Sequence, residues 1–260
     1  VVKYKLIISY DGTDFGGWQV QHNSVSIQHL IQEALQTILR TPTLLTGASR
    51  TDAGVHALGQ VAHFSVENEI DPQKLLASLN GLLPATIRIH AVACVDPAFH
   101  ARYDALGKIY HYHLSLQRTL PPFKRLYTTQ VLYPLDFALM QQASKQFVGT
   151  HDFTSFANEG GAALTKTRTL HRLDLFHEPA EGDVRLEFEG DGFLYKMVRN
   201  IVGTLLDVGR GHINLEELPS IFAAKDRKRA GISAPPQGLF LVKVHYSSLQ
   251  RGESKSVCVE

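Results

Sequence analysis

The chain is poor in sulfur: 260 residues hold two cysteines and two methionines. Cys94 lies in an apolar run and Cys258 close to the end, which leaves no disulfide framework and no thiolate metal site of the usual spacing. Net charge is also small, because 26 basic residues against 25 acidic ones give +1. No bulk cationic field therefore draws the chain to nucleic acid, and any such binding needs positive charge gathered locally. Nowhere do about 18 apolar residues run unbroken, so no helical membrane span is expected. The opening VVKYKLIISY is too short and wrongly flanked for a signal peptide. Thirteen histidines are present, but His111 and His113 alternate while His56, His63 and His100 lie far apart. That is no recognised ligand spacing, and no metal is expected. These absences point to a protein of the reducing cytoplasm with no membrane partner.

What is present fits a globular chain with a large core, 44% apolar and 20% charged. KYKLIISYDG (3 to 12) reads as a strand ending in an Asp-Gly turn. After a loop, the apolar positions Ile27, Leu30, Ile31, Ala34, Leu35, Ile38 and Leu39 mark one face of a helix that starts at Ser26 and stops before Pro42. QVAHFSV is a strand. DPQKLLASLNGLL is a helix with Asp71 as N-cap, Pro72 at its first position and Gly81 just past its end. IRIHAVACV (87 to 95) is another strand. KIYHYHLSL (108 to 116) starts a second round, followed by a helix from Asp136 to about Phe147. Two strands (TLHRLDLFHE and DVRLEFEG), helices in GFLYKMVRNIVGTLLDVGRG and NLEELPSIFAAKD, and a closing strand GLFLVKVHY (238 to 246) complete it. The expected fold class is α+β in two subdomains, residues 1–104 and 105–247, with a frayed tail at 248–260. No repeat is strong enough to prove duplication.

Several residues admit both a chemical and a structural reading. In GASRTDAGVHALGQVAHF (47 to 64), Asp52 follows Arg50 by two positions. A nearby arginine keeps such a carboxylate ionised, and Gly47, Gly54 and Gly59 let a backbone or ligand approach. An ionised, positioned carboxylate is a nucleophile or a base; equally, Ser49, Thr51 and Asp52 are turn formers bonding their own backbone. On the long helix near the end, Lys196, Arg199, Asn200 and Gly203 share a non-core face. Gly203 in mid-helix suggests close packing there, and Arg199 is either a buried partner for an acid or simply solvated. Tyr110 and Tyr112 alternate onto one sheet face, where an aromatic either stacks on a nucleobase or packs in the strand. Basic clusters occur at AKDRKR (224 to 229), at TKTRTLHR (165 to 172) and around Arg102 and Lys108; the charges within Lys225 to Arg229 are similar to a phosphate-binding patch or are a solvated helix end. TDAG is similar to an aspartic-protease turn, but no second copy supplies the paired carboxylate.

Taken in order, YDGTDFGGWQ, GASRTDAGVHALGQVAHF, FHARYDALGKIYHY, HDFTSF, FLYKMVRNIVG, AAKDR and GLFLVKV resemble the TruA family of tRNA pseudouridine synthases, from about residue 4 to 246. SFANEGGAALTKTR and RAGISAPPQGLF differ in detail from that pattern. The resemblance implies that Asp52 is the catalytic aspartate and that Arg199 pairs with it. It makes Tyr110 the tyrosine that packs on the target base and Leu239 the apolar residue beside that base. Arg50 becomes the arginine that displaces the nucleotide from its stack. It also implies a pseudouridine synthase fold, with helices on one face of an antiparallel sheet in each subdomain and a basic cleft between them. The implied protein is a homodimer acting on the anticodon stem-loop of tRNA, near its 3′ side, with no cofactor. Two rivals stand beside it: a base-excising hydrolase using the same carboxylate, and a non-catalytic RNA-binding module.

Overall fold

The computed structural model describes residues 1–161 and 163–247, so the expected tail at 248–260 lies outside the described residues. The chain divides into two compact units. One comprises Val1–Leu106 and, among the described residues, 242–247; the other is Gly107–Leu241. Among the described residues no helix is long and apolar enough to cross a membrane.

The first unit is built on three antiparallel strands in the order β4 (Ile87–Val95), β1 (Val2–Tyr10), β3 (His56–Val66). Tyr4, Leu6, Ile8 and Tyr10 alternate to the buried face of β1, the period of two that a half-buried strand imposes. A two-residue strand, β2 (Thr46–Gly47), adds to β3; it is too short to leave an alternation in the sequence. Helix α1 (Ile27–Leu39) starts where Ser26 caps the His29 amide at 3.3 Å, and buries Ile27, Ile31, Ala34 and Leu35. Helix α2 (Pro72–Leu82) is capped by Asp71, which accepts from Gln73 and Lys74, and it packs on α1 and β4. Gly81 lies inside α2 instead of past its end. Pro84 stops the helix by holding Leu83 extended.

The second unit has the antiparallel order β5 (Gly107–Ser115), β9 (Asp183–Gly190), β8 (Thr167–Glu178), β7 (Gly149–Asp152), with β6 (Thr129–Gln130) parallel to β5. Tyr110, Tyr112 and Leu114 of β5 share the buried face with Val184, Leu186 and Phe188 of β9. Helix α3 (Phe137–Phe147), capped by Asp136, packs on β8 and on α4 (Met197–Gly209). Helix α4 is buried on nearly every side, where the sequence suggested one core face and one polar face. The expected NLEELPSIFAAKD helix is a 3-10 turn, Leu215–Glu217, followed by α5 (Leu218–Ala224). Pro219 explains the break, since it has no amide to donate into a continuous helix. β10 (Leu239–His245) begins in the second unit and passes back into the first after Leu241.

One histidine in the first unit gives a pH prediction. His63 is buried, its Nδ1 accepts the Ala101 amide at 3.1 Å, and its pKa is pushed down to about 4. Burial is the main cause, helped by His100 and Lys3 and opposed by Asp104. An unfolded histidine titrates near 6.5, so the unfolded chain takes up this proton first. Its stabilising contribution is full above about pH 6.5 and is lost as pH falls toward 4. His63→Asn keeps an acceptor for Ala101 but cannot titrate. Denaturant midpoints measured across that range are expected to fall less steeply with acid in this variant, by a slope difference approaching one proton.

Candidate active site

In the first unit the loop that contains Asp52, residues 49 to 55, is anchored through its backbone. Gln60, fully buried on β3, donates to the Ser49 carbonyl at 2.7 Å and accepts from the Ser49 amide at 3.2 Å. Two residues on, the Thr51 carbonyl accepts the Trp18 amide at 3.1 Å, and the Thr51 hydroxyl pairs with the Tyr10 hydroxyl at 2.7 Å. A register shift in β1 between Ile8 and Tyr10 precedes that contact. Val55 closes the turn by donating to the Asp52 carbonyl at 3.1 Å. The outcome is a buried Thr51 beside a partly exposed Asp52 and an exposed Arg50.

The loop's support comes from YDGTDFGGW. Gly17 adopts φ +95°, and a Cβ there would lie 2.5 Å from the Thr51 carbonyl oxygen, so only glycine lets this segment lie along residues 51 and 52. The glycines around Asp52 serve the protein's own packing. Gly47 faces the Trp18 ring, Gly59 faces the Val242 carbonyl, and Gly54 has φ +76°. Sequence reasoning missed the parts played by Gly17, Trp18 and Gln60. The signal was the bunching of glycines in two separate segments.

The second unit holds Tyr110, Arg199 and Leu239. Tyr110 is buried, opposite Phe188 across the strand pair, with its ring edge-on to Phe193 at 4.9 Å. Arg199 lies in the first turn of α4; its Nε donates to the Ala234 carbonyl at 2.7 Å, and the Ala234 amide returns a bond to the Arg199 carbonyl at 3.0 Å. Tyr112, sharing Tyr110's face, donates its hydroxyl to the Pro235 carbonyl at 2.7 Å, and burial pushes its pKa well above the usual tyrosine value. Arg199 and Tyr112 thus fix the two residues, 234 and 235, that lead through a short turn (Pro236–Gly238) to the buried Leu239. This brings Arg199 and Leu239 into one local assembly of the second unit. Asp52 and Arg50 belong to the first unit.

The non-core face of α4 grips the same arm. Asn200, fully buried, donates to the Phe156 carbonyl at 2.8 Å and to Asn158 Oδ1 at 2.9 Å, and its Oδ1 accepts from Arg227 at 2.8 Å and from the Ser233 hydroxyl. Thr204 accepts the Gly231 amide at 3.0 Å. The close approach suggested by Gly203 is real: a Cβ there would meet the Ile232 carbonyl oxygen at 1.7 Å. Within the basic run 225 to 229, Lys225 pairs with Asp152 at 2.8 Å and Arg227 is turned to Asn200 and Ser233. Lys228 and Arg229, exposed like Lys225, face solvent. The Asn200–Arg227–Ser233 network was not foreseen, because its members lie 27 and 33 residues from Asn200.

Comparison with known proteins bears on this arrangement. The sequence matches the family described as tRNA pseudouridine synthase over residues 6–104 and 143–247. It is 55% identical to tRNA pseudouridine synthase A 1 of Protochlamydia amoebophila, covering 94% of this chain and 96% of that protein. It is 42% identical to tRNA pseudouridine synthase A of Lacticaseibacillus casei, over 94% of this chain and 99% of that one. With the enzyme of the same name from Acetivibrio thermocellus it shares 46% identity, over 93% and 98%. Matches of that identity across nearly whole chains, on a fold of two α+β units, place the chain in the tRNA pseudouridine synthase family.

Proposed function

We propose that the chain isomerises uridine to pseudouridine in the anticodon stem-loop of tRNA, near its 3′ side, with Asp52 as the reacting carboxylate. The observation that carries the reading is the Asp52 loop itself. A partly exposed carboxylate sits on a backbone clamped by Tyr10, Trp18 and Gln60, within a chain of this family. Such clamping presents a group to a substrate without reorganisation, which is where preorganised sites gain their effect.

The reaction breaks the bond from C1′ to N1, turns the freed uracil and joins C5 to C1′. The C5 proton leaves and N1 gains one, so nothing is oxidised and no group is added. The target nucleotide must leave its stack, at a cost of about a few kcal/mol. Arg50, exposed beside the carboxylate, fills the vacated space. Tyr110 and Leu239 line the slot that retains the detached base and keeps water out. Arg199 is the cation that the family resemblance pairs with that carboxylate. Asp52 acts on the sugar, on the base, or as a proton acceptor. All three routes need the ionised form.

Tritium release from tRNA carrying C5-labelled uridine, with the product mapped by position, tests the proposal. The expected result is release matched by carbon-linked product at the 3′ side of the anticodon stem-loop. Free uracil in place of that product would identify a hydrolase. Binding of tRNA without any release would identify an RNA-binding module.

A further inference from the structure

The sequence FHARYDA contains a surface aromatic that the site above does not use. Tyr103 is 76% exposed, yet it stands on a turn dense in hydrogen bonds. The His100 amide donates to Asp104 Oδ2 at 2.8 Å, and the Asp104 amide returns to the His100 carbonyl at 3.0 Å. The Arg102 and Tyr103 amides both donate to His100 Nδ1 at 3.2 Å, and the Ala101 amide donates to His63. Beneath the turn, Tyr246 donates its hydroxyl to the Ala101 carbonyl at 2.6 Å, and Lys3 donates to the Phe99 carbonyl at 2.8 Å. Every amide from residue 100 to 104 is accounted for.

The ring is presented in a particular way. His100 stacks against it at 4.2 Å with 29° between planes, and the Arg102 guanidinium lies over the ring, 6.0 Å from its centre. A solvent-exposed phenol on a rigid turn, backed by imidazole and flanked by an exposed arginine, joins a flat π surface to a nearby cation. That pairing suits a nucleobase and its phosphate. Net charge of +1 adds weight, since affinity for a polyanion must then come from local contacts.

We infer that Tyr103, with Arg102 beside it, is a stacking platform for an unpaired nucleobase of the bound tRNA. The inference rests on the tRNA-directed reading above and adds a binding contact away from the reacting carboxylate. Tyr103 anchors the RNA and takes no part in bond making.

The test uses the full chain and unmodified tRNA transcript. Tyr103→Ala is expected to raise the tRNA Kd by about 5- to 150-fold, the range for loss of one base–aromatic stack. Its thermal stability and its single-turnover rate at saturating tRNA should match wild type. Tyr103→Phe, which keeps the ring, should bind as wild type does. Arg102→Gln should lower the slope of log Kd against log salt by about one. Tyr103→Trp gives a direct readout, because the chain's one tryptophan, Trp18, is only 1% exposed; the new indole emission should be quenched on adding tRNA. Wild-type affinity in Tyr103→Ala, or unquenched emission in Tyr103→Trp, overturns the platform. So does a shift in elution volume of Tyr103→Ala with unchanged Kd, which would assign the ring to a contact between copies. Wild-type tritium release alongside any of these failures would show that the platform alone is wrong.

Discussion

Replacing Asp52 by asparagine is expected to lower single-turnover tritium release by on the order of 10⁴-fold or more, the scale of loss when a reacting group is removed. Affinity for tRNA should change only a few-fold. The split follows from how the loop is built. Thr51 and Asp52 are positioned by the Trp18 amide, the Val55 amide and the Tyr10 hydroxyl, and the asparagine variant leaves all three in place. Its side-chain amide therefore occupies the same ground without the charge. Asp52→Glu restores the charge on a side chain one methylene longer, and it should recover little, because near-attack geometry tolerates errors well under 1 Å. Stopped-flow release from labelled tRNA, paired with filter binding, measures both halves. Continued release by Asp52→Ala at the wild-type rate would remove Asp52 from the chemistry.

Gly203→Ala should produce the largest structural effect of any single methyl group. Helix propensity alone argues the other way, since alanine in mid-helix is favoured over glycine by about 1 kcal/mol. The added Cβ, however, would stand 1.7 Å from the Ile232 carbonyl oxygen and 2.8 Å from its carbon, both backbone atoms. The arm must then lift from α4, which strains the Gly231–Thr204 bond and the two bonds between Arg199 and Ala234. Overpacking of this kind costs about 1–3 kcal/mol and sometimes more, and here the lost hydrogen bonds add to it. We expect a net loss of about 2 kcal/mol or more, a fall in Tm of at least about 4 °C for a chain of this length. Activity should fall too, because Arg199 and the approach to Leu239 depend on residues 234 and 235. A melting scan and the tritium assay check both. A rise in Tm would mean that helix propensity outweighs the contact with Ile232.

The strands and helices were largely legible because their signals are local. The alternation in IRIHAVACV and DVRLEFEG gave β4 and β9, and Asp71-Pro72 gave the start of α2. Ends were less legible where a later residue decides them, as Pro84 does in place of Gly81. The site was legible in a different way. Asp52 was marked by its neighbours only as a turn or a carboxylate of interest, and the family resemblance supplied the role expected of it. What could not be read was the purpose of the supporting residues. Gly17, Trp18 and Gln60 matter because they meet residues 49 to 52, and Asn200 because it meets Phe156, Asn158, Arg227 and Ser233. Such partners lie from 11 to 44 residues apart, and neither periodicity nor composition encodes them. The basic run 225 to 229 shows the same limit: as a charge count it is a uniform patch, but Arg227 works inward while Lys228 and Arg229 face solvent.

The route of the chain between its two units sets an order of events during synthesis. Residues 107 to 241 form an uninterrupted stretch, so the second unit has all its parts once that stretch has left the ribosome. The first unit begins earlier yet finishes later, because Val242 lies against Gly59, His245 receives the Leu106 amide and Tyr246 reaches Ala101. Domains generally fold as units while the chain emerges, and here the unit begun first has to wait for residues 242 to 246. The turn that presents Tyr103 is among the parts left waiting, since its Ala101 carbonyl gains its Tyr246 partner only then. A nascent chain stalled before residue 242 would thus hold a complete second unit and an unfinished RNA-facing turn.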